Sequence, residues 1–357
     1  MTAALIYFLT FAIAAMVSAL ATPLVIRLAT HLEIIDAANE DRRVHEVPTP
    51  RIGGIAVFFG FAFALFAVLG FALSSPYALY PSIVHLGVHQ KVNAIADQFD
   101  EVHRLVGLLF GGMLILGVGL WDDIMQMRAR NKFLAQIVVA LISMLYGFVI
   151  PGINNPFDHN PHTNWIDFPN WLSIPLTLFW YVGMMNAINF IDGLDGLLSG
   201  FTLISCLFLF VISVLHASPV VALVVIALAG SALGFLPYNF NPAKIFLGDA
   251  GSLFIGYVFA TVSIIGASKT AIAISIVVPV VVLALPIVDT LAAIVRRASS
   301  GRSITEADRG HFHHQLIFRF GLNVRQAVLL IYALCFVLGV VALVLSGDFT
   351  HVFKNAL

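Results

Sequence analysis

The chain has 357 residues, 60% of them hydrophobic and only 10% charged, where a soluble globular domain carries about 25% charged residues. Eighteen basic residues balance 19 acidic ones, so no overall field attracts nucleic acid. Composition excludes a soluble enzyme, a disordered chain and a nucleic-acid binder, and leaves a polytopic membrane protein.

Long apolar runs predict ten helical spans, near residues 3–26, 52–73, 105–121, 133–150, 171–188, 197–215, 219–236, 251–267, 271–294 and 326–346. The runs lack the alternation of barrel strands. The expected fold is all-α, one transmembrane domain over residues 1–357. The first run has no preceding Lys or Arg and exceeds a signal's apolar region, so it reads as a span. Cys206 and Cys335 fall inside apolar runs and read as small buried residues.

Loops taken alternately divide the basic residues unevenly. Arg27, Arg42, Arg43, Arg51, Arg128, Arg130, Lys132, Lys244, Arg296, Arg297, Arg302, Arg309, Arg319 and Arg325 fall on one side. Only Lys91, Arg104, Lys269 and Lys354 fall on the other. The richer side is expected to be cytoplasmic, which puts both termini in the periplasm. The outer loops 74–104 and 151–170 read as solvated connections, and His159 and His162 lack a further ligand set.

Five polar segments all fall on the cytoplasmic side. Residues 36–54, DAANEDRRVHEVPTPRIGG, offer Arg42, Arg43, His45 and Arg51 to a phosphate, or simply anchor the loop at the membrane. Asp122 and Asp123 end the third span; paired carboxylates there suit Mg²⁺ or proton abstraction, unless they are merely solvated. In NAINFIDGLDG, Asn186, Asn189, Asp192 and Asp195 recur every three residues on one drifting helix face, as a site or as a helix contact. In FLGDAGS, Asp249 lies between Gly248 and Gly251 at a helix start, as a Mg²⁺ ligand or a cap, with Phe246 placed to stack on a base.

The last cytoplasmic loop, 298–325, holds Arg309, His311, His313 and His314. That spacing fits phosphate contacts or proton handling better than zinc. Phe312, Leu316 and Phe320 form an apolar stripe for a short helix lying on the membrane. Asp289, inside the ninth span, is either functional or paired with a residue such as Arg296.

These motifs, in this order, resemble those of the polyprenyl-phosphate N-acetylhexosamine-1-phosphate transferases of glycosyltransferase family 4. The resemblance covers nearly all the spans. It implies transfer of a sugar-1-phosphate from a UDP-sugar to undecaprenyl or another polyprenyl phosphate, with release of UMP. It also implies a bacterial inner-membrane enzyme at the first membrane step of cell-envelope polysaccharide synthesis, such as lipopolysaccharide. By that resemblance Asp249 and Asn189 hold Mg²⁺, for which Mn²⁺ can substitute. Asp192, Asp195 and Phe246 serve the uridine side. Asp122 is the base for the lipid phosphate, Asp123 sits near the metal and Lys132 meets the lipid phosphate. Arg309, His311, His313 and His314 grip the diphosphate or sugar, and Arg51 and Asn186 belong with the substrate-binding residues. Gly310-His311-Phe312-His313-His314-Gln315 resembles the branch taking UDP-GlcNAc-type donors. The branch taking UDP-MurNAc-pentapeptide, the alternative, usually has three consecutive His before Phe-Glu. The expected partners are UDP-N-acetylhexosamine, polyprenyl phosphate and the bilayer, with a homodimer left open. A transporter is the rival from another class, but transporter sites lie near the midplane between repeats, and here the polar residues gather at one side.

Overall fold

In a computed structural model of the protein, residues 3–36, 48–74, 88–154, 165–216, 218–269, 283–299 and 312–346 are described. Eleven helices account for most of them: α1 (Ala3–His31), α2 (Gly54–Ser74), α3 (Val88–Met125), α4 (Ala129–Leu145), α5 (Asn170–Ile191), α6 (Leu197–Leu215), α7 (Pro219–Asn239), α8 (Gly248–Lys269), α9 (Ala284–Ser299), α10 (Phe312–Phe318) and α11 (Val324–Leu345). Two short antiparallel ladders join loop ends: β1 (Ile35–Asp36) with β2 (Thr49–Pro50), and β3 (Gly152–Asn154) with β4 (Trp165–Asp167).

Eight of the described helices, α1–α3, α5–α8 and α11, are long and apolar enough to cross a bilayer. The expected span 133–150 is α4, a helix of 17 residues. The expected span 271–294 overlaps α9, and residues 270–282 lie outside the described residues. The loop expected over 74–104 is helical from Val88 onward, so α3 is much longer than its apolar part.

Burial separates inner from outer helices. In α8 89% of the apolar stretch is buried and in α7 83%, against 22% in α1 and 28% in α11. Leu5, Phe8, Met16, Leu20 and Leu24 of α1 point outward, as lipid-facing residues do. Apolar side chains gain little by leaving lipid for a neighbouring helix, so close packing and interhelical hydrogen bonds hold such a bundle. A Cβ on Gly234 of α7 would lie 2.1 Å from the Ala15 carbonyl of α1, so only glycine permits that approach. Deeper in, Ser143 of α4 bonds the Tyr257 hydroxyl of α8, whose ring stacks on Tyr181 of α5. The Tyr181 hydroxyl in turn meets Thr261, and Trp180 donates to Ser263. Cys206 and Cys335 are buried and unbridged, as the sequence implies.

The chain's zigzag brings the starts of α2, α4, α6 and α8 and the ends of α3, α5 and α7 to one end of the bundle. The polar segments sit on those termini.

Candidate active site

The N-terminus of α8 is the keystone of this end. As at any helix start, its first backbone N–H groups lack partners within the helix. Asp123, at the end of α3, supplies them: Asp249 N–H donates to Oδ1 at 2.9 Å and Ala250 N–H to Oδ2 at 3.0 Å. Arg51 completes the cap, with Nε and Nη2 both 3.2 Å from Asp123 Oδ1. The Asp123 side chain is fully buried. Asp123 thus lies beside Asp249, with both its oxygens engaged by α8 and Arg51.

The segment before α2 clasps the segment before α8 through main-chain bonds. Phe246 N–H donates to the Pro50 carbonyl (2.8 Å), Gly53 N–H to the Phe246 carbonyl (2.9 Å) and Gly54 N–H to the Leu247 carbonyl (2.8 Å). Gly248 adopts φ +70°, and a Cβ there would lie 1.8 Å from the Arg51 carbonyl. Both facts require glycine. The PTPRIGG and FLGDAGS motifs are thus two halves of one support. Arg51 faces Asp123, and Phe246 is left half-buried in the clasp.

Lys132, in the first turn of α4, reaches into this support. Its ammonium lies 2.9 Å from Asp122 Oδ2 and 2.8 Å from Asp249 Oδ2. Asp122 Oδ1 accepts from Met127 N–H at 2.7 Å, closing the turn between α3 and α4. Asn189 of α5 donates to Asp249 Oδ1 at 2.6 Å and to Ser252 Oγ at 2.7 Å. One turn deeper, Asn186 donates to Gln136 Oε1 at 2.7 Å. Asp122, Lys132, Asn189 and Asp249 therefore form one connected cluster.

The turn between α5 and α6 forms the next wall. Asp192 follows α5 directly, where burial first, then repulsion from Asp249, Asp123 and Asp195, pushes its carboxyl up to about 8. Asp195 is a brace: its Oδ2 accepts from Asn241 Nδ2 and from Ala243 N–H, both at 3.0 Å, fixing the loop that leads to Phe246. From α11, Arg325 donates to the Asn241 carbonyl at 3.0 Å and the Tyr332 hydroxyl to the Gly196 carbonyl.

The histidine helix α10 packs on the same turn. His313 is buried, and a Cβ on Gly193 would lie 2.1 Å from its Nε2. His314 stays half-buried with its ring centroid 4.3 Å from that of His313. Asp289 of α9 accepts from Phe312 N–H at 2.9 Å, anchoring α10 at its first residue. The helix ends at Phe318, so Leu316 is buried while Phe320 lies beyond it and exposed; the expected three-residue stripe is cut to two. Arg309 and His311, with Arg42, Arg43 and His45, lie outside the described residues.

Among the described residues, no group of three His, Cys, Asp or Glu side chains is assembled to hold a metal alone. A cation such as Mg²⁺ takes one or two protein carboxylates and fills its shell with water and substrate phosphates. Asp122 and Asp249 already share one cation, the Lys132 ammonium, so the donor set fits a positive charge.

Gln136, Asn241, Arg325 and Tyr332 carry no motif and were not legible as part of the site, and Ser252 closes the FLGDAGS motif without having been singled out. Only Gln136 left a trace: it stands four residues after Lys132, hence on the same helix face.

A sequence model described as glycosyl transferase family 4 matches residues 105–267. The chain is 34% identical over 331 residues to a probable undecaprenyl-phosphate N-acetylglucosaminyl 1-phosphate transferase of Bacillus subtilis, covering 91% of this chain and 81% of that protein. It is 35% identical over 338 residues to a decaprenyl-phosphate N-acetylglucosaminephosphotransferase of Mycobacterium leprae, covering 89% and 78%. A phospho-N-acetylmuramoyl-pentapeptide-transferase of Staphylococcus epidermidis is 38% identical over 175 residues, covering 46% and 54%.

Proposed function

Since the chain belongs to glycosyl transferase family 4 and is a multi-pass membrane phosphoglycosyl transferase, we propose that it transfers GlcNAc-1-phosphate from UDP-GlcNAc to a polyprenyl phosphate in the bacterial inner membrane, releasing UMP. The observation that carries the reading is the cluster of Asp122, Lys132, Asn189 and Asp249 at one end of the bundle. The choice of a small sugar donor is supported by relatives named for N-acetylglucosamine that match 91% and 89% of the chain, against 46% and 68% for two pentapeptide transferases.

In this reading an oxygen of the lipid phosphate attacks the β-phosphorus of the UDP-sugar. A P–O bond forms to the lipid and the P–O bond to UMP breaks. Asp122 takes the remaining proton from the lipid phosphate, and the Lys132 ammonium, one bond away, holds that phosphate in place. Asp192 and Phe246 face the uridine, Asp195 keeps their loop in position, and His313 and His314 approach the diphosphate from α10. Mg²⁺, or Mn²⁺ in its place, would be held by Asp249 and by Asn189 once its amide turns Oδ1 inward, and would neutralise charge on the diphosphate. With cytoplasmic UDP-sugar as donor, the site end of the bundle faces the cytoplasm. The lipid-linked product would begin a cell-envelope polysaccharide.

The test is direct. Purified protein is given Mg²⁺, polyprenyl phosphate and, one at a time, UDP-GlcNAc, UDP-GalNAc and UDP-MurNAc-pentapeptide, and UMP is measured. UMP is expected with UDP-GlcNAc, only when lipid and metal are both present. Turnover of the pentapeptide substrate alone would move the chain to the other branch, and no UMP from any donor would refute the transferase reading.

A further inference from the structure

Gln136 is completely buried, and its Nε2 has no hydrogen-bond partner among the described residues. Two buried N–H groups without an acceptor cost stability. A leucine in that position would avoid the cost. The one side-chain bond that Gln136 makes among the described residues is with Asn186, whose Nδ2 donates to Gln136 Oε1 at 2.7 Å. The other Asn186 N–H goes to the Val182 carbonyl at 2.8 Å. Both donors of the Asn186 amide are therefore spent, and the half-buried side chain has only its Oδ1 left to offer.

The placement matters as much as the bonds. Gln136 stands one turn from Lys132 on α4, and Asn186 one turn from Asn189 on α5. The pair forms a second rung directly beneath the rung of Lys132, Asp249 and Asn189, on the side toward the bilayer centre. The upper rung offers a cationic ammonium and carboxylates. The lower rung offers a single fixed acceptor.

We propose that Gln136 is a positioning residue that locks the Asn186 amide with its Oδ1 toward the reaction site. This rests on the transferase reading above. An acceptor so fixed recognises a group with a proton to give: a hydroxyl or N–H of the sugar substrate, or a water carried by a bound cation. A phosphate oxygen, itself an acceptor, gains nothing there. The lower rung therefore reads the sugar or the hydrated cation, and anion binding is left to the rung above. The unpaired Nε2 is the stability given up for that orientation.

The experiment compares full-length wild type with Gln136→Leu, Asn186→Leu and the double variant, by thermal unfolding and by UMP release. Gln136→Leu is expected to keep or raise Tm while kcat/KM falls about tenfold or more, as misplacement of a reacting group costs. It should cost nothing further in the Asn186→Leu background. A higher half-saturation for UDP-GlcNAc identifies the sugar as the proton giver; a higher half-saturation for Mg²⁺ identifies the cation's water. Losses that multiply in the double variant, or full activity in Gln136→Leu, would overturn the proposal. Wild-type turnover in the same assay checks the transferase reading separately. Should that be absent, the unfolding comparison still decides: a lowered Tm in Gln136→Leu would mark Gln136 as ordinary helix glue and overturn the proposal, and an equal or raised Tm would support it.

Discussion

Asp122, Asp123 and Asp249 share one neighbourhood, and their partners give them different work. Asp123 is sealed under Arg51 and the start of α8, so replacing it disturbs the helix that carries Asp249. Asp249 keeps its oxygens toward Lys132 and Asn189. Asp249→Asn is expected to lower Mg²⁺-dependent UMP release at least about 100-fold, as loss of a charge-stabilising group does, while the variant still inserts and unfolds cooperatively. Near-normal turnover would remove Asp249 from the metal site. Asp192 carries a pH signature. In the unfolded chain it titrates as an ordinary carboxylate near 3.8, and in the folded protein near 8. A folded value above the unfolded one means that folding holds a proton, so this contribution is complete below about pH 4 and is lost as pH rises through about 8. Thermal unfolding in EDTA should therefore show Tm falling between pH 6 and pH 9, and Asp192→Asn should flatten that fall.

The helix α10 shows what an anchor at a helix's first residue can do. It is a single short helix of seven residues, too short to be stable alone, and it meets α9 through the bond from Phe312 N–H to Asp289. Asp289→Leu is expected to free α10 from Gly193 and lower kcat about tenfold or more. Asp289→Asn, which keeps an acceptor oxygen, should recover most of it. Equal loss in both variants would show that charge, rather than the acceptor, is what matters. The sequence made Asp289 visible as a carboxylate in an apolar span, but not its partner, because Phe312 lies 23 positions away and the bond is to backbone. The same limit explains Asp123 and Asp195. Their residue type and helix-end placement marked them as polar and placed, yet backbone N–H groups of Asp249, Ala250 and Ala243 leave no mark in a motif. The apolar helices were legible because twenty-residue runs have one reading in lipid. The helical stretch 88–104 was not, since its mixed residues carry no apolar run.

Across the molecule, every described motif collects at one end, where α3, α5 and α7 finish and α4, α6 and α8 begin. In the proposed reading that end faces the cytoplasm, as the bias of basic residues leads one to expect. Both native cysteines are buried, so introduced cysteines can report orientation against a silent background. Arg128→Cys lies exposed at the site end and Ile153→Cys, where Ile153 is 44% exposed, at the opposite end. A membrane-impermeant maleimide should label position 153 in intact spheroplasts and position 128 only after permeabilisation; the reverse pattern would invert the topology. The clasp between residues 50–54 and 246–247 also imposes a timetable on synthesis. Its two halves are separated by roughly 190 residues of chain. At ordinary translation speeds the first half waits about 10–40 s for the second to emerge. Until then β2 has only β1 to pair with, and Asp123, once made, lacks the Asp249 and Ala250 N–H groups that it caps. The polar end of the bundle is thus assembled late: α8 arrives between α3 and α5, made well before it, and α10 and α11 follow to complete the wall.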